Sequence, residues 1–146
     1  MTVEIRPLAA ADDVAWRALW RDYLAFYETS VAEDVYATTF ARLTDPGVPE
    51  MGAFVAVADR PVGLVHYIFH RHCWRPEGIC YLQDLFVDPG SRGTGAGRAL
   101  IEAVYREADR QGVPAVYWMT QDFNTTARQL YDRIAVLTPF IKYQRR

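Results

Sequence analysis

The residues from Tyr81 to Ile101, YLQDLFVDPGSRGTGAGRALI, run from a strand-like stretch through glycines into an amphipathic segment. Arg92, Gly93, Thr94, Gly95, Ala96, Gly97 and Arg98 form the middle: three glycines between two arginines. That composition suits an anion. The first turn of a helix leaves its amide N–H groups unpaired and carries the positive end of the helix dipole. Glycine lets a diphosphate approach those amides, and flanking guanidinium groups add charge-assisted hydrogen bonds. Leu100, Ile101, Val104, Tyr105 and Ala108 recur at helical spacing while Arg98, Glu102, Arg106 and Asp109 face away, which predicts a helix opening where the glycines end. A P-loop would need lysine and a hydroxyl where Ala96 and Gly97 stand, and a dinucleotide fingerprint would need glycine where Arg98 or Leu100 stands. What remains is Arg92, Gly95 and Gly97 in the spacing R-x-x-G-x-G, directly after a strand that ends in Asp88-Pro89.

A second constellation lies downstream in TQDFNTTARQLYDRIA, from Thr120 to Ala135. Asn124 and Tyr131 are seven residues apart, so a helix puts them on one side, about 10 Å apart along its axis. Spacing alone also allows a plain reading, with Asn124 as an N-cap and Tyr131 in an apolar stripe with Ala127, Leu130 and Ile134.

Together the two motifs resemble the GNAT superfamily of acetyl-CoA-dependent N-acetyltransferases, whose signatures are the arginine-glycine spacing after the fourth strand and an asparagine, alanine and Leu-Tyr pair on a later helix. The resemblance covers essentially all 146 residues, and the YLQDLFVD, VYWMTQ and TPFIKY stretches look most like small enzymes of histone and polyamine acetylation. It implies acetyl-CoA as co-substrate, with its pantetheine arm lying along the backbone of Leu85, Phe86 and Val87, its diphosphate on Arg92 through Arg98, and Asn124, Ala127 and Tyr131 completing the cofactor site. It implies direct attack by an amine, with Tyr131 as the acid that protonates the leaving thiolate. Relatives often have a glutamate and an aspartate where this chain has Gln83 and Asp84; the base is then Asp84, or a water relay through Glu28, His70 or Asp34. The acceptor site is expected from the first two helices and neighbouring strands, which hold Tyr23, Tyr27, Glu28, Glu33, Asp34, Tyr36, His70 and Trp74; Tyr27, Glu28, Tyr36, His70 and Gln83 are the candidates to touch the acceptor. Aromatic faces and carboxylates suit a small cationic amine such as a polyamine or amino sugar. A protein lysine, or a non-catalytic module that senses acetyl-CoA, are the alternatives.

The positioning elements follow from periodicity. A first strand is predicted at Val3 to Arg6 and a helix from about Asp12 to Glu28, with Trp16, Leu19, Trp20, Tyr23, Leu24 and Tyr27 in one stripe. Ser30-Val31-Ala32-Glu33 has the form of a capping box ahead of a second helix. Strands are predicted at Gly52–Ala58, Val62–His70, Tyr81–Asp88 and Val113–Thr120, a last helix at Asn124–Ile134, and a closing strand at Pro139–Gln144. The expected fold is a mixed α/β GNAT domain over residues 1–146, a mostly antiparallel twisted sheet of about six or seven strands flanked by about four helices. Ala135 replaces the glycine common after that helix in the family, so the helix end and the last strands are expected to differ. Pro139 suits an edge strand, and such edges in the family help form homodimers.

Composition narrows the partners. A net charge of −2 with only a terminal basic cluster, Lys142, Arg145 and Arg146, argues against nucleic acid. No apolar run reaches a membrane span and the N-terminus lacks a signal-like core, which leads to the expectation of a cytoplasmic protein. Cys73 and Cys80 flank a predicted turn at Arg75–Gly78 and are expected as thiols. His66, His70 and His72 alternate beside Cys73, but their spacing is not that of a zinc set, so no metal is expected.

Overall fold

The computed structural model describes residues 2–146. Its sheet has five strands in sequence order: β1 (Glu4–Pro7), β2 (Met51–Val57), β3 (Pro61–His72), β4 (Arg75–Val87) and β5 (Val116–Tyr117). The first four pair antiparallel and β5 joins β4 parallel. Helices α1 (Asp13–Phe26) and α2 (Glu33–Thr44) cover one face, α3 (Ala96–Arg110) covers the other, and α4 (Thr125–Ile134) packs beside α3 with Leu130, Tyr131 and Ile134 half-buried.

Two apolar layers result. On the α1 face Trp16, Leu19, Trp20 and Leu24 recur every three or four residues and meet Tyr36 and Leu43 of α2 and Val55, Leu64 and Phe86 of the sheet. The Trp16 and Trp20 rings stack at 5.2 Å, and Tyr36 meets both edge-on. On the α3 face Leu100, Ile101, Val104 and Ala108 close over Val62, Val65, Cys80 and Leu82. The chain enters α1 through Asp12, whose carboxylate accepts the Ala9 amide at 2.8 Å and both Arg6 terminal nitrogens at 2.8 Å. Those bonds, Arg6 above all, hold the Asp12 carboxyl below its usual value.

A register change in β4 decides which side chains reach which layer. His66 pairs with Asp84 but Tyr67 pairs with Leu82, so Gln83 is one residue too many for β3. Ahead of it Cys80 and Leu82 face the α3 layer. Beyond it Asp84 and Phe86 face α1, while Leu85 and Val87 lie against the α3 layer.

Several expectations are corrected. Ser30 caps nothing: α2 opens at Glu33 with Ala32 as N-cap, and Glu33 pairs with Arg17 of α1. The β3–β4 turn falls at Cys73–Trp74, with His72 opposite Arg75, so β4 begins well before Tyr81. Cys80 then faces Phe69, and both cysteines are free, Cys73 exposed and Cys80 buried. β5 shrinks to two residues. The closing strand does not form: Ala135 leaves α4 in an extended conformation, and the exposed segment beyond it is in no sheet, so five strands replace the expected six or seven. A strand needs a neighbour, and β5 is too short to offer one.

Candidate active site

The glycine loop follows β4 through a short 3-10 turn at Pro89–Ser91, fixed by the Asp88 carboxylate on the Gly90 amide at 3.3 Å. Gly93 (φ 81°) and Gly95 (φ 82°) are left-handed, and a Cβ on either would meet nothing within 4 Å. Conformation, not crowding within the protein, selects glycine there. Gly97 differs: it has ordinary φ, and a methyl would lie 3.7 Å from Leu130 and 3.9 Å from Val87. The first bond of α3 runs from the Ala99 amide to the Gly95 carbonyl at 3.0 Å, so the amides of Ala96, Gly97 and Arg98 have no carbonyl within the helix. The Thr94 hydroxyl donates to the Ser91 carbonyl at 2.7 Å, Arg92 Nε to the Val87 carbonyl at 3.3 Å, and Arg98 pairs with Glu102 at 2.8 Å. Open amides, two guanidinium groups and a side-chain-free approach fit a diphosphate.

Beside the loop the sheet opens. β5 pairs with Cys80 and Tyr81 only, so from Leu82 to Val87 β4 has β3 on one edge and no strand on the other. Backbone groups along that edge are available to an extended ligand. The gap continues into a narrow cleft, partly open to solvent, lined by Tyr23, Tyr27, Leu82, Gln83, Leu85, Trp118, Met119 and Tyr131. Two helices supply its three phenols. Tyr23 and Tyr27 continue the α1 stripe past Trp16 and Trp20, so one helical face serves the core first and the cleft next. Tyr131 is presented by α4, its ring edge-on to Trp118 at 5.4 Å. Burial, with a smaller contribution from Tyr27, pushes the Tyr131 phenol up to about 12, so it holds its proton at neutral pH. Asn124 sits at the N-cap of α4 yet makes no side-chain cap bond; its amide donates to the Thr120 hydroxyl at 3.1 Å. Ala127 is half-buried, one turn before Tyr131.

Asp84 does not line this cleft. Its carboxylate is buried, accepting from His66 Nδ1 at 2.8 Å and from Trp20 Nε1 at 3.3 Å. Burial alone would raise the Asp84 carboxyl, but the hydrogen bonds of His66, Tyr23 and Trp20 outweigh it and the net displacement is downward. The Tyr23 phenol moves far up, through burial first and the Asp84 charge second.

Of the five acceptor candidates, Tyr27 and Gln83 line the cleft. Tyr36 lies instead in the α1 core, edge-on to both tryptophans with Arg17 over its ring. Glu28 is exposed at φ 57°, past the end of α1, and His70 hydrogen-bonds the Tyr117 hydroxyl at 2.9 Å. The three histidines do not converge, since His66 points to Trp16 and His72 accepts from the Trp74 amide. Trp118 and Met119 are cleft residues that sequence reasoning missed; the apolar run before Thr120 was the signal, read as strand alone.

The sequence pattern of the acetyltransferase (GNAT) family matches residues 15–135. The chain belongs to the GNAT family. Among curated GNAT-like relatives, the D-amino-acid N-acetyltransferase HPA3 of Saccharomyces cerevisiae is 39% identical over 98% of this chain and 90% of its own length. The thialysine N-epsilon-acetyltransferase of Bos taurus is 33% identical over 73% of this chain and 53% of its own length. The GNAT fold also appears in the solved structures. The aminoglycoside N-acetyltransferase AAC(6')-Iy with a bisubstrate analogue superposes at TM-score 0.86 with 20% identity, over 100% of this chain and 99% of that one. A ribosomal-protein-alanine N-acetyltransferase from Brucella melitensis gives 0.82 with 21% identity over the same shares. This GNAT chain is an N-acetyltransferase, moving an acetyl group onto an amine.

Proposed function

We propose that the protein transfers acetyl from acetyl-CoA to a small primary amine by direct attack within a ternary complex. Arg92 to Arg98 hold the diphosphate, the free edge of Leu85, Phe86 and Val87 takes the pantetheine arm, and Asn124 and Ala127 flank it. The observation that carries the reading is the meeting of that open edge and the Tyr131 phenol at one cleft, with the glycine loop following the end of the same strand. Acetyl-CoA would supply an activated acyl group there, and Tyr131, protonated at neutral pH, is the residue placed to give a proton to the departing thiolate.

No residue lining the cleft is a base at neutral pH: the polar ones are phenols and the Gln83 amide. Asp84 is a poor sink for the amine's proton. Its carboxyl is held below the usual carboxylate value, which weakens it further as an acceptor for a proton from an alkylammonium. Glu28, His70 and Asp34 stand outside the cleft lining. The amine therefore arrives uncharged, or loses its proton to water in the open cleft.

The relatives' names suggest amino acids as acceptors, at the α-amine or a side-chain amine, beside the polyamines and amino sugars suited by aromatic faces. Thiol release from acetyl-CoA with D- and L-alanine, lysine, spermidine and an amino sugar tests the reading. One or more should give amine-dependent release; release independent of amine, or none, would overturn it. With the accepted amine, kcat/KM should rise about tenfold per pH unit toward that amine's own pKa, and a plateau near neutrality would require a protein base after all.

The exposed run after α4 supports the homodimer as part of this proposal. Val136, Leu137, Phe140, Ile141 and Tyr143 are all at least 73% exposed, an apolar row with nothing of its own chain against it. A second copy is the occupant that a strand-like tail and a short β5 edge both suit. Sedimentation should give a dimer that becomes a monomer when the chain is ended at Ala135; a full-length monomer would remove the dimer and leave the chemistry standing. No helix among the described residues is long and apolar enough to cross a membrane.

A further inference from the structure

Apart from the tail, the exposed large apolar side chains include three that gather around the mouth of the cleft. Phe26, Met119 and Phe123 are each between 42% and 57% exposed, and none belongs to either core layer. Met119 lines the cleft; Phe26 meets the cleft's Tyr27 at 5.0 Å between ring centroids, and Phe123 meets Phe26 at 6.1 Å. With Tyr23 5.1 Å from Tyr27, four rings run inward from solvent, and only the inner two line the cleft. The outer pair bridges α1 and the loop ahead of α4, so it spans the two helices that carry the cleft's phenols. Phe123 sits in the polar run Gln121-Asp122-Phe123-Asn124. That run is closed by bonds from the Asn124 amide to the Gln121 carbonyl at 3.0 Å and from the Thr125 amide to the Phe123 carbonyl at 2.8 Å. The Arg128 guanidinium braces it through the Asp122 carbonyl at 3.0 Å. A fastened loop thus holds a ring in water. Exposed rings continuous with a cleft mark a place for an apolar part of a ligand.

The glycine loop opens α3 on the face of the sheet opposite α1, which leaves the α1 side of the mouth to the amine. We infer that Phe26 and Phe123 receive the side group of the acceptor, so that the preferred acceptor is a primary amine bearing an aromatic or branched aliphatic group and not a polycation. Magnitudes favour that choice. An apolar group that covers half of an exposed ring gains about five- to 30-fold in affinity, whereas an ammonium on an exposed ring gains about two- to fivefold. No side chain lining the cleft is charged, and the carboxylates nearest in sequence, Asp22, Glu28 and Asp122, are exposed. A second ammonium would find no buried partner there. The inference rests on the acetyl-transfer reading above and narrows its acceptor from small amines to apolar ones.

The test follows thiol release from acetyl-CoA with D- and L-alanine, D- and L-phenylalanine, lysine, spermidine and an amino sugar, in the wild type, Phe26→Ser and Phe123→Ser. Setting each variant against the wild type cancels the amines' own pKa values. Both side chains are exposed, so the melting temperatures should stay near that of the wild type, and coenzyme A affinity by calorimetry should not move. In kcat/KM the wild type should favour phenylalanine, in one or both hands, over alanine and over the polycations. Each serine variant should lower the phenylalanine-to-alanine ratio by about five- to 30-fold, chiefly through KM. A ratio unmoved in both variants, or a wild type that prefers spermidine, lysine or the amino sugar, would overturn the inference. So would a coenzyme A affinity that falls alongside the ratio, which would place the rings on the coenzyme. A wild type that acetylates none of these amines would overturn the acetyl-transfer reading as well, whereas the other outcomes leave that reading intact.

Discussion

The two faces of the sheet solve the same packing problem with different chemistry. Under α3 the contacts are aliphatic, with Leu100, Ile101, Val104 and Ala108 on Val62, Val65 and Leu82, and the face contributes function through backbone: the amides that open the helix. Under α1 the layer is aromatic and contains His66 and Asp84 at neighbouring positions of β3 and β4. Its contribution is made by side chains. An apolar layer tolerates repacking and leaves the helix end free to serve an anion, whereas a hydrogen-bonded layer fixes one arrangement and holds a charge at a chosen depth.

The largest effect should come where the faces meet. Tyr131→Phe should lower turnover roughly 10- to 10⁴-fold while the melting temperature stays near that of the wild type, since only a hydroxyl is removed. Undiminished turnover would take Tyr131 out of the chemistry. Adjacent residues of β3 sharpen the contrast next. His66→Ala strands the Trp16 donor and removes the stronger support of Asp84, and should destabilise by about 3–5 kcal/mol in urea unfolding. Val65→Ala, on the aliphatic face, should cost about 2 kcal/mol. Equal costs would break the distinction between the layers.

The loop offers a smaller contrast between two glycines. Gly95→Ala puts a side chain on a left-handed residue and should cost about 1–2 kcal/mol along with weaker coenzyme A binding. Gly97→Ala should change stability by less than about 0.5 kcal/mol, because the new methyl finds only ordinary contacts. Acid should act mainly on the aromatic side. The carboxyls of Asp12 and Asp84 are both held below 3.8 in the fold, so the stability they contribute is complete above that value and is lost as pH falls through their folded values. Thermal melts between pH 5 and pH 2 should show that loss, and removing both carboxyls should flatten it.

Local features were legible in the sequence and distant ones were not. The glycine loop, α3 and α4 are written in contiguous spacing, and the starts of both helices and the end of α4 shift by a residue at most. The Trp16–His66–Asp84 chain joins residues 50 and 18 positions apart, and alternation alone gives no warning that Gln83 interrupts the pleat. For the same reason Asp84, a candidate base by its place on the strand, proves to be buried outside the cleft lining. TPFIKY alternates like a strand, but alternation describes a segment and not the edge that would receive it. The cysteines were placed by assuming a symmetric hairpin around Arg75–Gly78; the turn at Cys73–Trp74 leaves one thiol in solvent and one in the core.

One surplus residue keeps the two faces from exchanging contents. Were the pleat regular through Gln83, every side chain from Asp84 to the end of the strand would rotate by half a turn: the carboxylate would enter the aliphatic stack beneath α3 and Leu85 would abut the indoles. Deleting Gln83 would instead make Leu82 and Asp84 consecutive residues of an unbroken ladder, each on its present face. Loss of the surplus residue should therefore spare the pairing of Asp84 with His66, which a flattened strand of the same length would not.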